Sequence, residues 1–235
     1  MEYTTTCVSC YWNVVNKHNP YTFTKWFENT LRINAPYVFF GTKETIEMVK
    51  LFRRELPTHY IELEMEDFYT YKYKDKMLID SAHCPSAELN IIWNEKIFLI
   101  EKAKQLNIFN TDFFAWIDAG VCTYRSTAPP LQPFPNAEKL SLLPKNRFLF
   151  TSSNMPYFES NKLVNSNYHF ISGTYILHID IIDTIVSLYK EYIHTYMEPT
   201  RIYTDQVLLT YIYRDHPHLF HQVGHGYGTI LTILS

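Results

Sequence analysis

The chain has 235 residues, 46% of them hydrophobic and 19% charged, with a formal charge of -3 and 6 glycines. That size and apolar content suit one substantial core, and a near-neutral balance without a basic stripe argues against dedicated nucleic-acid binding. The opening residues lack the basic and apolar regions of a signal peptide, and no stretch approaches the roughly 18 to 20 apolar residues of a membrane span, so a cytoplasmic location is expected.

In chain order, the pattern predicts extended segments at 4–11, 37–40 and 58–63, alternating with helices at 24–32 and 43–54. Thr42 stands to cap the second helix, and Pro57 closes the chain beyond it. Such alternation predicts an α/β fold with a mainly parallel sheet flanked by helices. Cys7 and Cys10 have CxxC spacing, but there is no second pair, and the default for all four cysteines is reduced thiols. Residues 66–84, rich in Tyr, Lys and Asp, have no clean period and read as a surface excursion.

Ser86 then opens a strong helix, in which Leu89, Ile92, Trp93, Ile97, Ile100 and Ala103 recur at three- and four-residue intervals. Lys96 falls on that apolar stripe, so it either snorkels to solvent or meets a counter-charge such as Asp118 or a bound diphosphate. The run Phe113-Phe114-Ala115-Trp116-Ile117 predicts a central strand buried on both faces, ended by Asp118. A carboxylate there either caps a turn or anchors a metal, a cation or several N–H donors. Ligands of open α/β sheets bind beyond the carboxyl ends of the strands, which makes Asp118 the centre of the candidate site.

After a proline-rich loop, strands are expected at 147–152 and 169–177 and helices at 180–196 and 204–213. Gly173, beside Ser172, interrupts the second of these strands, as at a bulge or the close approach of a ligand. Thr204 stands to cap the last helix, with Asp205 and Gln206 in its first turn, where the helix dipole favours an acid. His221 and His225 have zinc-pair spacing, but Gly224, Gly226 and Gly228 argue against a helix. His225 therefore reads as a loop side chain, either delivered to a site formed elsewhere or left in solvent. Neither GxGxxG nor GxxxxGK[ST] occurs, so a nucleotide must be held another way.

Tyr21-Thr22-Phe23, Ile33-Asn34-Ala35-Pro36-Tyr37-Val38-Phe39-Phe40, Ile92-Trp93-Asn94-Glu95-Lys96, Trp116-Ile117-Asp118-Ala119-Gly120 and Asp205-Gln206-Val207 together resemble the HtrL/YibB-like family. The resemblance spans residues 20–228, and that family is related to glycosyltransferases of the GT-A fold. It implies a single GT-A-like, nucleotide-diphospho-sugar transferase domain over 1–235, with a nucleotide-binding half at 1–118 and an acceptor-side half at 119–235. The implied activity moves a sugar from a nucleotide-diphosphate donor, expected to be UDP-linked, to a glycan or glycoconjugate acceptor, with retention favoured over inversion.

By similarity to glycogenin-like enzymes, Asp118 matches one carboxylate of a DxD motif that binds manganese or magnesium, and Gly120 stands where the second would be. His225 would complete that metal site. The same pattern implies catalytic roles for Asp205, Gln206 and Lys96, and donor contacts for Ser9, Tyr11, Lys96, Ser172 and Gly173, with Tyr11 or Trp12 stacking on the base. Two other readings stay open. A sugar nucleotidyltransferase would ordinarily show a Gly-rich basic loop, which 5–15 lacks, and a non-catalytic carbohydrate- or protein-binding module is favoured by the missing second Asp.

Overall fold

The structure, a computed structural model, describes residues 3–153, 169–197, 199 and 201–235. Its strands are β1 (Thr5–Tyr11), β2 (Tyr37–Gly41), β3 (Thr58–Glu62), β4 (Phe113–Trp116), β5 (Phe148–Ser152), β6 (Ile171–His178) and β7 (Phe220–His225). They form one sheet in the order β3-β2-β1-β4-β6-β5-β7. β1 to β4 pair in parallel, as do β5 and β7, whereas β6 runs antiparallel between β4 and β5. The mainly parallel sheet expected from the alternation is present, with one reversed strand at its centre.

The helices are α1 (Pro20–Leu31), α2 (Lys43–Arg53), α3 (Ala87–Leu106), α4 (Ala137–Ser141), α5 (Ile179–Tyr192), α6 (Asp205–Asp215) and α7 (Ile230–Ile233). α1 begins four residues before its expected start, because Asn19 accepts from the N–H groups of Tyr21 and Thr22 and Pro20 fits the first helical position. Thr42 caps α2 as expected, by accepting from Thr45 N–H. Ser86 caps α3 in the same way, through Leu89 N–H. Thr204 occupies the cap position of α6 but makes no side-chain capping bond. α5 gives way to a π-helical turn, Ile193–Met197, where one continuous helix was expected.

Side chains along each strand alternate between two cores. On one face Val8, Cys10, Phe114, Trp116 and Tyr175 pack with α3, α5 and α6; on the other, Cys7, Phe39, Ala115 and Ile117 pack with α1, α2 and α7. Cys7 and Cys10 therefore lie in different cores, and both are free thiols, which removes the CxxC as a site.

Residues 66–84 are not a mere surface excursion. Short 3-10 turns, Met65–Asp67 and Tyr69–Lys76, lie against α3 and bury Phe68, Thr70 and Tyr73. This cover encloses α3, so its buried residues include Asn90, Asn94, Glu95 and Lys96 as well as the apolar stripe. Each amide and acid finds a partner. Asn94 donates to Tyr203 O at 2.9 Å and accepts from Tyr189 Oη at 2.9 Å. Glu95 accepts from Tyr69 N, Thr70 N and Thr70 Oγ1 at 3.1, 3.0 and 2.8 Å.

The histidine-rich tail also departs from expectation: it is strand β7, parallel to β5, rather than a loop. Its glycine lies close under α7: a Cβ at Gly224 would meet Ile233 Cδ1 at 2.6 Å, so a larger residue there would have to shift that side chain.

Burial lifts the Glu95 carboxyl from the ordinary 4.5 to about 7, against the hydrogen bonds from Thr70 and Tyr69 that favour its charge. The folded state thus holds this proton more tightly than the unfolded chain does. Its contribution to stability is complete below about pH 4.5 and is lost as pH rises through about 7. Urea midpoints should fall across that window, and Glu95→Gln should flatten the fall. An equal slope in both proteins would contradict this account.

Candidate active site

β4 delivers Asp118 to the α3 side of the sheet. Phe114 and Trp116 face that side, and two further residues along the chain restore the same parity. Trp116 Nε1 donates to Asp118 Oδ1 at 2.8 Å and fixes the carboxylate. From α3, Lys96 Nζ lies 2.8 Å from Asp118 Oδ1, and from the first turn of α6, Asp205 Oδ2 lies 3.1 Å from the same ammonium. That second contact is an ion pair without hydrogen-bond alignment at Oδ2. The side chains of Lys96 and Asp205 are 4% and 3% exposed and that of Asp118 is 37% exposed. Of the three, Asp118 is the one that faces solvent.

One ammonium thus serves two carboxylates. Burial opposes the charge of Lys96, but Asp118 and Asp205 more than offset it and hold the amine protonated above the ordinary lysine range. Burial pushes Asp205 up to about 6 although Lys96 pulls it down, and the like charge of Asp118 adds to the rise.

Gly173 explains itself at this point. Trp116 pairs with Tyr175 in the antiparallel register of β4 and β6, so two residues further on Asp118 faces Gly173. A Cβ at Gly173 would meet Asp118 Oδ2 at 2.8 Å and Lys96 Nζ at 3.6 Å. The close approach read from the sequence is made by the ion pair itself. Gly120 has a different cause: a Cβ there would meet the Phe23 ring at 2.8 Å.

A cavity of about 430 Å³ opens over Asp118, beyond the carboxyl ends of β1 and β4. Tyr11, Phe23 and Trp93 contribute aromatic surface, and Lys17, Lys96 and Arg125 contribute cations. Among the described lining residues, Asp118 is the one carboxylate. A second hollow of about 520 Å³ lies beside Arg53, away from these strand ends. There the Arg53 guanidinium donates to the carbonyls of Leu31, Ile33, Ala35 and Pro57, which makes it a clamp of the fold.

Of the residues expected in the site, Tyr11, Trp12, Lys96, Asp118, Gly173 and Gln206 line the cavity. Asp205 is sealed behind Lys96. Ser9 is buried and donates to Ile117 O at 2.7 Å, and Ser172 is buried against Thr151 Oγ1 at 3.1 Å, so both hydroxyls tie strands together and do not reach a ligand. His225 ends β7 with Nδ1 against Ser152 Oγ at 2.8 Å and Gln222 Nε2 at 3.2 Å, outside the lining. Tyr227 and Gly228, just beyond it, do line the cavity.

The structure therefore does not bring the expected metal pair, Asp118 and His225, together. Among the described residues no group of three His, Cys, Asp or Glu is placed to hold a metal ion. Among the described residues, the one carboxylate of the lining is already shared with an ammonium, a donor set that does not fit manganese or magnesium.

Sequence reasoning missed Lys17, His18, Arg125 and Trp93. Lys17 and His18 follow β1 and Arg125 follows β4, so the strand-end rule was a signal for three of them.

The family described as "Bacterial protein of unknown function (HtrL_YibB)" matches residues 58–229. The chain belongs to that family. No curated protein matches the HtrL_YibB chain. Among solved structures, apo mouse xyloside xylosyltransferase 1 is similar with a TM-score of 0.55 and 13% identity, over 95% of this chain and 85% of that one. At that identity the likeness shows the fold alone, and that fold is GT-A-like. The 4-diphosphocytidyl-2C-methyl-D-erythritol synthase of Anaerococcus prevotii DSM 20548 aligns at a TM-score of 0.45 and 11% identity, over 96% and 88% of the two chains, too weakly to add to this. No helix of the HtrL_YibB protein, among the described residues, is long and apolar enough to cross a membrane.

Replacing Lys96 by Met should cost roughly 3–5 kcal/mol of stability, because Asp205 is then a buried charge without a cation. Adding Asp205→Asn to that variant should recover most of the loss. Urea unfolding of the two single variants and the double variant tests the coupling, and additive effects would show that the pair does not act as a unit.

Proposed function

We propose that this HtrL_YibB protein is a glycosyltransferase that takes a sugar from a nucleoside-diphosphate donor, UDP-linked sugars being the first class to test. The acceptor is a hydroxyl of a glycan or glycoconjugate. The observation that carries the proposal is the cavity beyond β1 and β4, where the buried Lys96 and its partner Asp118 meet Lys17, Arg125 and an aromatic wall. The fold shared with a xylosyltransferase supports it.

In this reaction the bond from the anomeric carbon to the β-phosphate oxygen breaks, and a bond from that carbon to the acceptor oxygen forms. Negative charge grows on the departing diphosphate, which Lys17, Lys96 and Arg125 are placed to meet. The sugar carbon becomes oxocarbenium-like, and the exposed carboxylate of Asp118 stabilises it. Asp205 acts on Lys96 as a positioning residue. Tyr11, stacked on Phe23 with centroids 5.7 Å apart, offers a surface for the base.

Retention belongs to the same proposal. Among the described residues the lining supplies no second carboxylate to act as a base on the opposite face, and in retention the acceptor proton passes to the departing phosphate oxygen.

Release of nucleoside diphosphate from UDP-sugars should be measurable with the purified protein, and Asp118→Ala should lower it by about 100-fold or more. The thermal midpoint should move little, since Lys96 keeps Asp205. No turnover of any nucleotide sugar by the wild type would refute the proposal, and a large loss of stability in the variant would make Asp118 a structural cap.

A further inference from the structure

Resting on that reading, we infer that the donor diphosphate is bound without a divalent cation, its charge being met by Lys17, Lys96 and Arg125. Three independent features point there. The first is steric. In a DxD site, position 120 would carry the second carboxylate, but the space a side chain would enter holds the Phe23 ring, at 2.8 Å from a Cβ built on Gly120. Phe23 itself packs against Tyr11 and Phe27, so a side chain at position 120 would have to displace it from that aromatic layer.

The second feature is the state of Asp118. Its Oδ1 already accepts from Trp116 and pairs with Lys96. A divalent ion on this carboxylate would sit beside an ammonium that is fixed there by Asp205 from behind. The two cations repel, and Lys96 cannot swing away because its side chain is 4% exposed and enclosed. Lys96 thus occupies the electrostatic role of a metal: a permanent positive charge, held by two carboxylates at the floor of the cavity.

The third feature is the balance of the lining. Among the described residues, Lys17, Lys96 and Arg125 stand against Asp118 in the lining and Asp205 behind it, so the site keeps a surplus of positive charge, carried by Lys17 and Arg125, whereas a metal-dependent site is acidic until its ion arrives. Arg125 is aimed by its Nε bond to Gly120 O at 3.2 Å and by its position 4.1 Å over the Trp26 ring. His18, in the same lining and edge-on to Trp26, is held below the ordinary imidazole value by burial first and then by Arg125 and Lys17. A guanidinium fork and two ammonium groups match a diphosphate without further charge.

The test is calorimetric titration of UDP, CDP, ADP and GDP in turn into the full chain, with EDTA and, separately, with manganese. Binding of at least one of them in EDTA, with Kd within about threefold of its value in manganese, is expected. Lys17→Ala and Arg125→Ala should each weaken that binding by about tenfold; Lys17 is exposed, so its variant keeps the fold. In EDTA the His18 imidazole, followed by NMR, should titrate at higher pH once the diphosphate is bound. Binding seen only with manganese, or tightened more than about tenfold by it, would overturn the inference and leave the transferase reading standing. No binding in either buffer would overturn the transferase reading itself, and this inference with it.

Discussion

A single ammonium, that of Lys96, ties together three elements that are far apart in sequence. β4 supplies Asp118, α6 supplies Asp205, and α3 carries the lysine between them. For this to hold, α3 must be buried along the side that bears Lys96, and the rest of that layer is arranged accordingly. The 3-10 turns over residues 65–76 cover the helix, Glu95 binds that cover through Thr70, and Asn94 reaches Tyr189 and the carbonyl of Tyr203. β6 must run antiparallel in register so that its glycine, and no larger residue, stands opposite Asp118.

The triad is not what makes the fold stable. A unit pair at about 4 Å gains roughly 4 kcal/mol at an effective dielectric near 20. Removing each ion from water costs several kcal/mol, so such groups come close to balance. The two apolar cores on either face of the sheet supply the surplus. What the triad adds is direction. It holds a positive charge at the cavity floor with its counter-charges arranged so that one of them, Asp118, remains open to a ligand.

Much of this was legible in the sequence, and the parts that were not have physical reasons. The alternation of strands and helices, the cap at Thr42, the buried run ending in Asp118 and the misplaced charge of Lys96 are local signals, and each is found where it was expected. The reversal of β6 is a matter of chain path, which period-two patterning does not record. β7 was hidden because Gly224 lowers strand propensity while the pairing with β5 that stabilises it is tertiary. Ser9 and Ser172 were expected as donor contacts by resemblance to glycogenin-like enzymes, yet with both faces of the sheet buried they have only neighbouring strands to bond. Lys17 and Arg125 were passed over because scattered surface cations ordinarily belong to solvent, and it takes the fold to bring them to one cavity.

Two glycines on either side of Asp118 show how differently the same residue can be required. Gly173 is small because charged side chains need the room: a Cβ there would press on the carboxylate that Lys96 and Trp116 hold in place. Gly120 is small because an aromatic ring already fills the room, so the position that might have carried a second acid is closed by Phe23. The first glycine admits the internal ion pair, and the second excludes the carboxylate that a metal would have needed. Together they make the choice of charge at this site a consequence of packing: the sheet leaves space for an ammonium from α3 and none for a second acid from its own loop.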